Sequence, residues 1–217
     1  MYSTNYNRTD FQKKLISMSG DEFDNFMCQK FPVLFAQRNQ SPTETCMYWG
    51  FDIGRGWYPL LHEMCEKIMV ICKAYNWRVE FVQIKEKYGS GRFYFNSMGT
   101  NDNIDINESD LIDELINDIV HNYEEISGHV CAETGKWYDE TISIGGWVYD
   151  CCAEAIIERD PERREAVNTA LARVKKIKAI KSSLYWCQDE ILNKIHNDIN
   201  SSFGVEQQSV SQEDVSV

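Results

Sequence analysis

The chain has 217 residues, a net charge of −12, and six Trp, eleven Tyr and ten Phe. That length makes one domain, or one domain with an appended element, with room for a real core, and so many aromatics exclude a disordered composition. The acidic balance argues against general binding to nucleic acid or anionic membranes, because its field repels polyanions, but it leaves open a small phosphate-bearing ligand in a local basic pocket.

No stretch approaches the ~18 consecutive apolar residues that a membrane span needs. The first ten residues, MYSTNYNRTD, lack the apolar run of a signal peptide. Eight Cys without a secretory signal read as reduced thiols, so the expected location is the cytoplasm.

Two short helices open the chain. One runs from about Asp10 to Met18 and is capped at Thr9 or Asp10; the other follows Ser19, where Asp21 and Glu22 suit the positive end of a helix. A polar loop, Gln37 to Thr45, separates them from the clearest helix. There Trp57, Leu60, Leu61, Met64, Ile68, Ile71, Cys72 and Tyr75 recur at helical spacing, and Pro59 sits in the first turn. Gly54 and Gly56 allow a tight entry to it.

The period then changes from 3.6 to 2. Arg78 to Tyr88 and Gly91 to Asn96 read as two strands of a hairpin turning through Tyr88-Gly89-Ser90-Gly91. Alternation sends Val82 and Ile84 one way and Gln83, Lys85 and Lys87 the other; Phe93 and Phe95 join the apolar face and Arg92, Tyr94 and Asn96 the polar one. This register gathers two Lys, one Arg and a Tyr into a compact basic cluster. A one-residue slip would turn every side chain over.

A further amphipathic helix is expected from about Glu108 to Ile126, with Leu111, Leu115, Ile119 and Tyr123 inward. A second small hairpin is expected within 131–150. From Pro161 a long helix carries Val167, Leu171, Val174, Ile177, Ile180, Leu184, Ile191 and Ile195 as a broad stripe, and at ~1.5 Å per residue it exceeds 50 Å. The fold class is thus α+β, a small antiparallel sheet packed against amphipathic helices. The domains are a core over 1–160, a helix over 161–200 that packs on the core or on a second subunit, and a disordered tail over 203–217.

The segment Gly54-Arg55-Gly56-Trp57-Tyr58-Pro59-Leu60, with Gln83-Ile84-Lys85-Glu86-Lys87-Tyr88-Gly89 and Gly91-Arg92-Phe93-Tyr94-Phe95, resembles a widespread family of small bacteriophage and prophage proteins. Its members share a Gly-Trp-x-Pro-Leu helix start and a Val-Lys-Glu-Lys-Phe-Gly-x-x-Arg-Phe-Tyr hairpin. The resemblance covers roughly 54–152. It implies a phage origin and an α+β core, and no established activity. Family members often carry a Cys-x-x-Cys-Gly knuckle and a second Cys pair about twenty residues on, a set that suits tetrahedral zinc. Here Thr134 stands at one ligand position and Ala155 at another, leaving Cys131 and Cys152, with Cys151 and His129 as the only stand-ins. No metal is expected, and Trp137 and Trp147 are expected to fill the space.

The candidate ligand-binding residues are Arg55, Trp57, Lys85, Lys87, Arg92 and Tyr94. Arg92 suits two parallel bonds to a phosphate, Lys85 and Lys87 supply point charges, Tyr94 or Trp57 a stacking surface, and Arg55 lies between two glycines where backbone can approach a ligand. Bland readings stand beside these: a solvated strand face for the Lys pair, a core position for Trp57 and a simple turn for Gly-Arg-Gly.

No catalytic residue is assigned and no cofactor is expected. The four His are scattered, no Cys sits in an activating context, and Glu63 with Glu66 reads equally as a charged outer face. The long helix carries Arg163, Arg164, Arg173, Lys175, Lys176, Lys178 and Lys181, a solvated face or a partner surface. The expected function is non-catalytic capture of a small nucleotide-like ligand by a homo-oligomer, as in phage proteins that sequester bacterial immune signals. The alternative is an interaction protein that binds a host protein, and a nucleotide-signal hydrolase stands third.

Overall fold

The computed structural model describes residues 9–100 and 106–202, with side chains to 183. The expected tail over 203–217 lies outside the described residues. The chain divides into two compact units, 1–174 and 175–217.

Helices α1 (Asp10–Ser17) and α2 (Gly20–Lys30) each begin with a reciprocal capping box. Thr9 pairs with Gln12 and Ser19 with Glu22, which satisfies amide groups that the first turn leaves without partners. Short 3₁₀ turns at Ala36–Asn39 and Cys46–Trp49 lead into strand β1 (Phe51–Asp52). Helix α3 (Tyr58–Tyr75) follows a 3₁₀ turn, Arg55–Trp57, and ends at Asn76 in the left-handed conformation.

Strands β2 (Trp77–Lys87) and β3 (Ser90–Gly99) form the hairpin. Tyr88 and Gly89 both have positive φ, as the two central residues of a type I′ turn require. β1 adds to the other side of β2 in parallel, so the three-stranded sheet is mixed, in the order β1-β2-β3. Helix α4 (Ile106–Ser127) runs beside β3, and β4 (Ser143–Ile144) and β5 (Trp147–Val148) form the second hairpin across Gly145-Gly146. Then come α5 (Ala153–Arg159), a 3₁₀ turn at Pro161–Arg163, and α6 (Arg164–Ser202). The architecture is α+β with a long C-terminal helix. Among the described residues no helix is long and apolar enough to cross a membrane.

Two cores sit in the first unit. The larger gathers Phe23, Met27, Leu61, Met64, Ile68, Phe81, Ile84, Phe93 and Ile116. The smaller is built on Trp57, Cys131, Tyr138, Ile142, Cys151, Cys152, Ile156 and Val167.

Several sequence expectations are corrected. Leu111 and Leu115 are exposed; Ile112, Ile116 and Val120 face the core with Tyr123. Tyr123 is inward as expected and Ile119 packs partly buried against the core, so the inward face of α4 is rotated from the expected phase by less than one residue step of ~100°. Its bonds to β3 fix that rotation: Ser127 Oγ accepts from Gly91 N at 2.7 Å and Glu124 Oε1 from Phe93 N at 3.0 Å. Tyr75 is exposed, being the last residue of α3, while His62 is buried. Val82 does not pair with Ile84 on the core face. It is the extra residue of a β-bulge between Phe81 and Gln83, so the buried series runs Trp77, Val79, Phe81 and resumes at Ile84. Trp137 and Trp147 are exposed and fill no core space. Along α6, Val167 and Ala170 are buried, but Ile177 and Ile180 are exposed; Leu184, Ile191 and Ile195 lie beyond the described side chains.

Candidate functional site: the hairpin and its flanking slot

The hairpin register sets Lys85 directly opposite Arg92, Gln83 opposite Tyr94 and Lys87 opposite Ser90. Directly opposed residues of an antiparallel pair point to the same face, so Lys85, Lys87, Arg92 and Tyr94 share one surface. Lys85 Nζ lies 5.4 Å from the Tyr94 ring centroid and Lys87 Nζ 5.3 Å from that of Tyr88, both cation–π distances. The Arg92 Nη1 donates to Ser90 Oγ and to the Gly91 carbonyl, each at 2.7 Å. Those bonds use one nitrogen of the guanidinium; the other two carry three further N–H donors. On the far side of β2, Asp52 is the register partner of Lys85.

The other two sequence candidates stand elsewhere. Trp57 is completely buried in the smaller core and its indole Nε1 donates to the Val130 carbonyl at 2.6 Å. A fully covered ring has no face left for a base, so Trp57 is a core residue. Arg55 is exposed, with Nε donating to the Glu133 carbonyl at 3.4 Å. The glycines on either side serve packing. A Cβ on Gly54 would overlap the Ala132 carbonyl, and one on Gly56 the Cys131 carbonyl and the Gly135 nitrogen. Gly56 N donates to the Ala132 carbonyl at 2.6 Å. What approaches this backbone is the loop 131–135.

That loop carries Cys131 and Thr134, two of the positions weighed as metal ligands from the sequence. Gly135 N donates to the Cys131 carbonyl at 2.7 Å and Ala132 N to the Asp150 carbonyl at 2.8 Å, which brings Cys131 to Cys151 and Cys152. A hydrogen bond from the Cys151 thiol, helped by the Thr134 hydroxyl, holds the Cys131 thiol down to about 4 against the effect of burial. Burial pushes Cys152 up to about 11. Ala155, at the fourth knuckle position, is buried and offers no ligand atom. Among the described residues no group of three or more His, Cys, Asp or Glu side chains is placed to hold a metal ion.

Glu63 and Glu66, the acid–base pair considered from sequence, are both in ion pairs, with Lys67 at 3.5 Å and Lys30 at 2.8 Å. His62 is buried among Phe11, Phe26 and Phe31, with Lys30 Nζ 2.6 Å from its Nε2. Burial pushes the His62 pKa below its ordinary value, and Lys30 pushes the same way, while Glu66 and Glu63 oppose them.

One feature had no sequence signal. Between β3 and α4 lies a slot of about 680 Å³ lined by Val82, Phe93, Tyr94, Phe95, Asp113, Asn117, Val120, His121 and Glu124. Ser97 Oγ donates to Asp113 Oδ1 at 2.6 Å and accepts from Trp77 Nε1 at 2.6 Å, closing one end. Its lining comes from a bulge residue, an edge strand and about three turns of a helix whose phase the sequence misplaces, so no linear motif marks it. Tyr94 belongs both to the slot and to the basic face. Comparison of the chain with protein-family models, curated proteins and solved structures returns no match.

Proposed function

We propose that this chain is a non-catalytic binding protein that captures a small phosphate-bearing, nucleotide-like ligand on the polar face of the β2–β3 hairpin. The supporting observation is the direct opposition of Lys85 and Arg92 with Tyr94 beneath the Lys85 ammonium. A planar guanidinium and a point charge on one rigid sheet face suit a phosphate, and the neighbouring phenol ring suits a base. In an acidic chain such a patch binds at short range what the whole molecule repels at long range. Lys87 adds a second ammonium at the exposed end of β2, and Arg55 stays outside this face, tied to the loop at Glu133. With the phage resemblance, the role that fits is sequestration of a nucleotide signal of bacterial defence in the host cytoplasm.

A second reading is favoured by α6. Lys175 and Lys176 are exposed, as are Ile177 and Ile180 that follow them, a surface suited to a host protein or a second copy of the chain. The two readings separate experimentally. Lys85→Ala and Arg92→Ala, made singly, should each weaken nucleotide binding at least about ten-fold while leaving the melting temperature within a few degrees. Binding unaltered in both variants sinks the hairpin reading and moves the function to the α6 surface.

A further inference from the structure

The bonds between α4 and β3 leave a gap. On β3, residues 91, 93, 95 and 97 alternate with the residues that bond β2, so their backbone groups turn toward α4. Gly91 N reaches Ser127 and Phe93 N reaches Glu124, and at Ser97 the side chain reaches Asp113. Phe95 lies between these clasps, and the turn of α4 beside it presents Asn117, Val120 and His121 to the slot. The slot therefore has ends closed by protein hydrogen bonds and a middle where Phe95 N–H and C=O face outward.

Its chemistry is lopsided. The apolar lining is Val82 and Phe95, with the buried Phe93 and Val120 behind them, while the polar rim carries the Asn117 amide and two carboxylates, Asp113 and Glu124, each with one oxygen accepting from β3. A carboxylate only accepts, so an occupant must bring adjacent donors. Guanine does so: its N1–H and exocyclic amine together match the two oxygens of one carboxylate, and its O6 takes a bond from a backbone N–H or an amide. Adenine, cytosine and uracil each present a single donor group on that edge, so a carboxylate gains one bond from them where guanine gives two. The volume, about 680 Å³, lies in the range of small-ligand sites. Tyr94 joins this acidic rim to the basic face through Lys85, so base donors and phosphates would find opposite charges at opposite ends.

We propose that the slot between β3 and α4 reads a guanine base, with Asp113 or Glu124 accepting from its Watson–Crick edge, while the Lys85–Arg92 face holds the phosphates. The assignment rests on the hairpin reading for its phosphate half only. Calorimetric titration of the full chain with guanosine, guanosine monophosphate, inosine monophosphate, adenosine monophosphate and pyrophosphate tests the two halves apart. Guanosine monophosphate should bind about 10–100-fold more tightly than the inosine compound, which lacks the exocyclic amine, and more tightly than the adenosine one. Asp113→Asn or Glu124→Gln should weaken guanosine at least about ten-fold and leave pyrophosphate unchanged; Lys85→Ala should do the reverse. Equal binding of the guanosine and inosine monophosphates, a result that needs no variant, overturns the base assignment. Pyrophosphate binding without base discrimination overturns the slot and keeps the hairpin; guanosine binding without pyrophosphate keeps the slot and overturns the hairpin.

Discussion

Trp57 and His62 show how one turn of helix changes the meaning of a residue. Trp57 heads the apolar stripe of α3 in the sequence, yet it leaves the larger core and anchors the smaller one through its bond to Val130. Trp57→Phe keeps most of the apolar area but strips a buried carbonyl of its donor, so chemical denaturation should show a loss of about 1–3 kcal/mol. His62 follows at a position where sequence offered only a scattered histidine. Its pKa is held below the ordinary value in the folded chain, so the unfolded chain takes up the proton first. Stability conferred by the neutral ring is therefore full above pH ~6.5 and falls as pH drops below it. Melting temperatures should decline between pH 7 and 5, and His62→Gln should flatten that decline; a slope unchanged by the substitution would place its origin elsewhere.

Among the elements, the hairpin was the most legible. Two-residue alternation and the Tyr88-Gly89 turn are local signals, and a type I′ turn leaves little freedom in register. The phase of α4 was not legible in the same way, because Leu111 and Leu115 form as good an apolar series as Ile112 and Ile116. What decides between them is three bonds to β3, made by Ser127, Glu124 and Asp113, all distant in sequence from their partners. The bulge at Val82 and the two-residue β1 are likewise products of tertiary pairing. The Gly-Arg-Gly turn was visible, but its purpose was not, since the loop that packs on it lies some seventy-five residues downstream. Gly56→Ala forces a Cβ into the Cys131 carbonyl and should cost more than about 3 kcal/mol, read as a large drop in the denaturation midpoint. An equal drop for the exposed Arg55→Ala would contradict the packing account.

At the scale of the whole molecule, a net charge of −12 shapes what a basic hairpin can bind. The long-range field turns away polyanions, and only a ligand small enough to sit within a Debye length of Lys85 and Arg92, ~8 Å at physiological salt, gains from them. Composition carried the charge argument, and register gave the four hairpin candidates a common face. The slot beside that face stayed out of reach because it exists only once a strand edge and a helix lie side by side. The central claim is that the hairpin captures an intact small molecule. The most direct measurement is mass spectrometry of what the heat-denatured protein releases after purification from bacteria with active defence enzymes. The account predicts a stoichiometric, unmodified nucleotide from the parent chain and none from the Lys85→Ala, Arg92→Ala double variant. A chemically converted nucleotide, or equal release from both proteins, would contradict it.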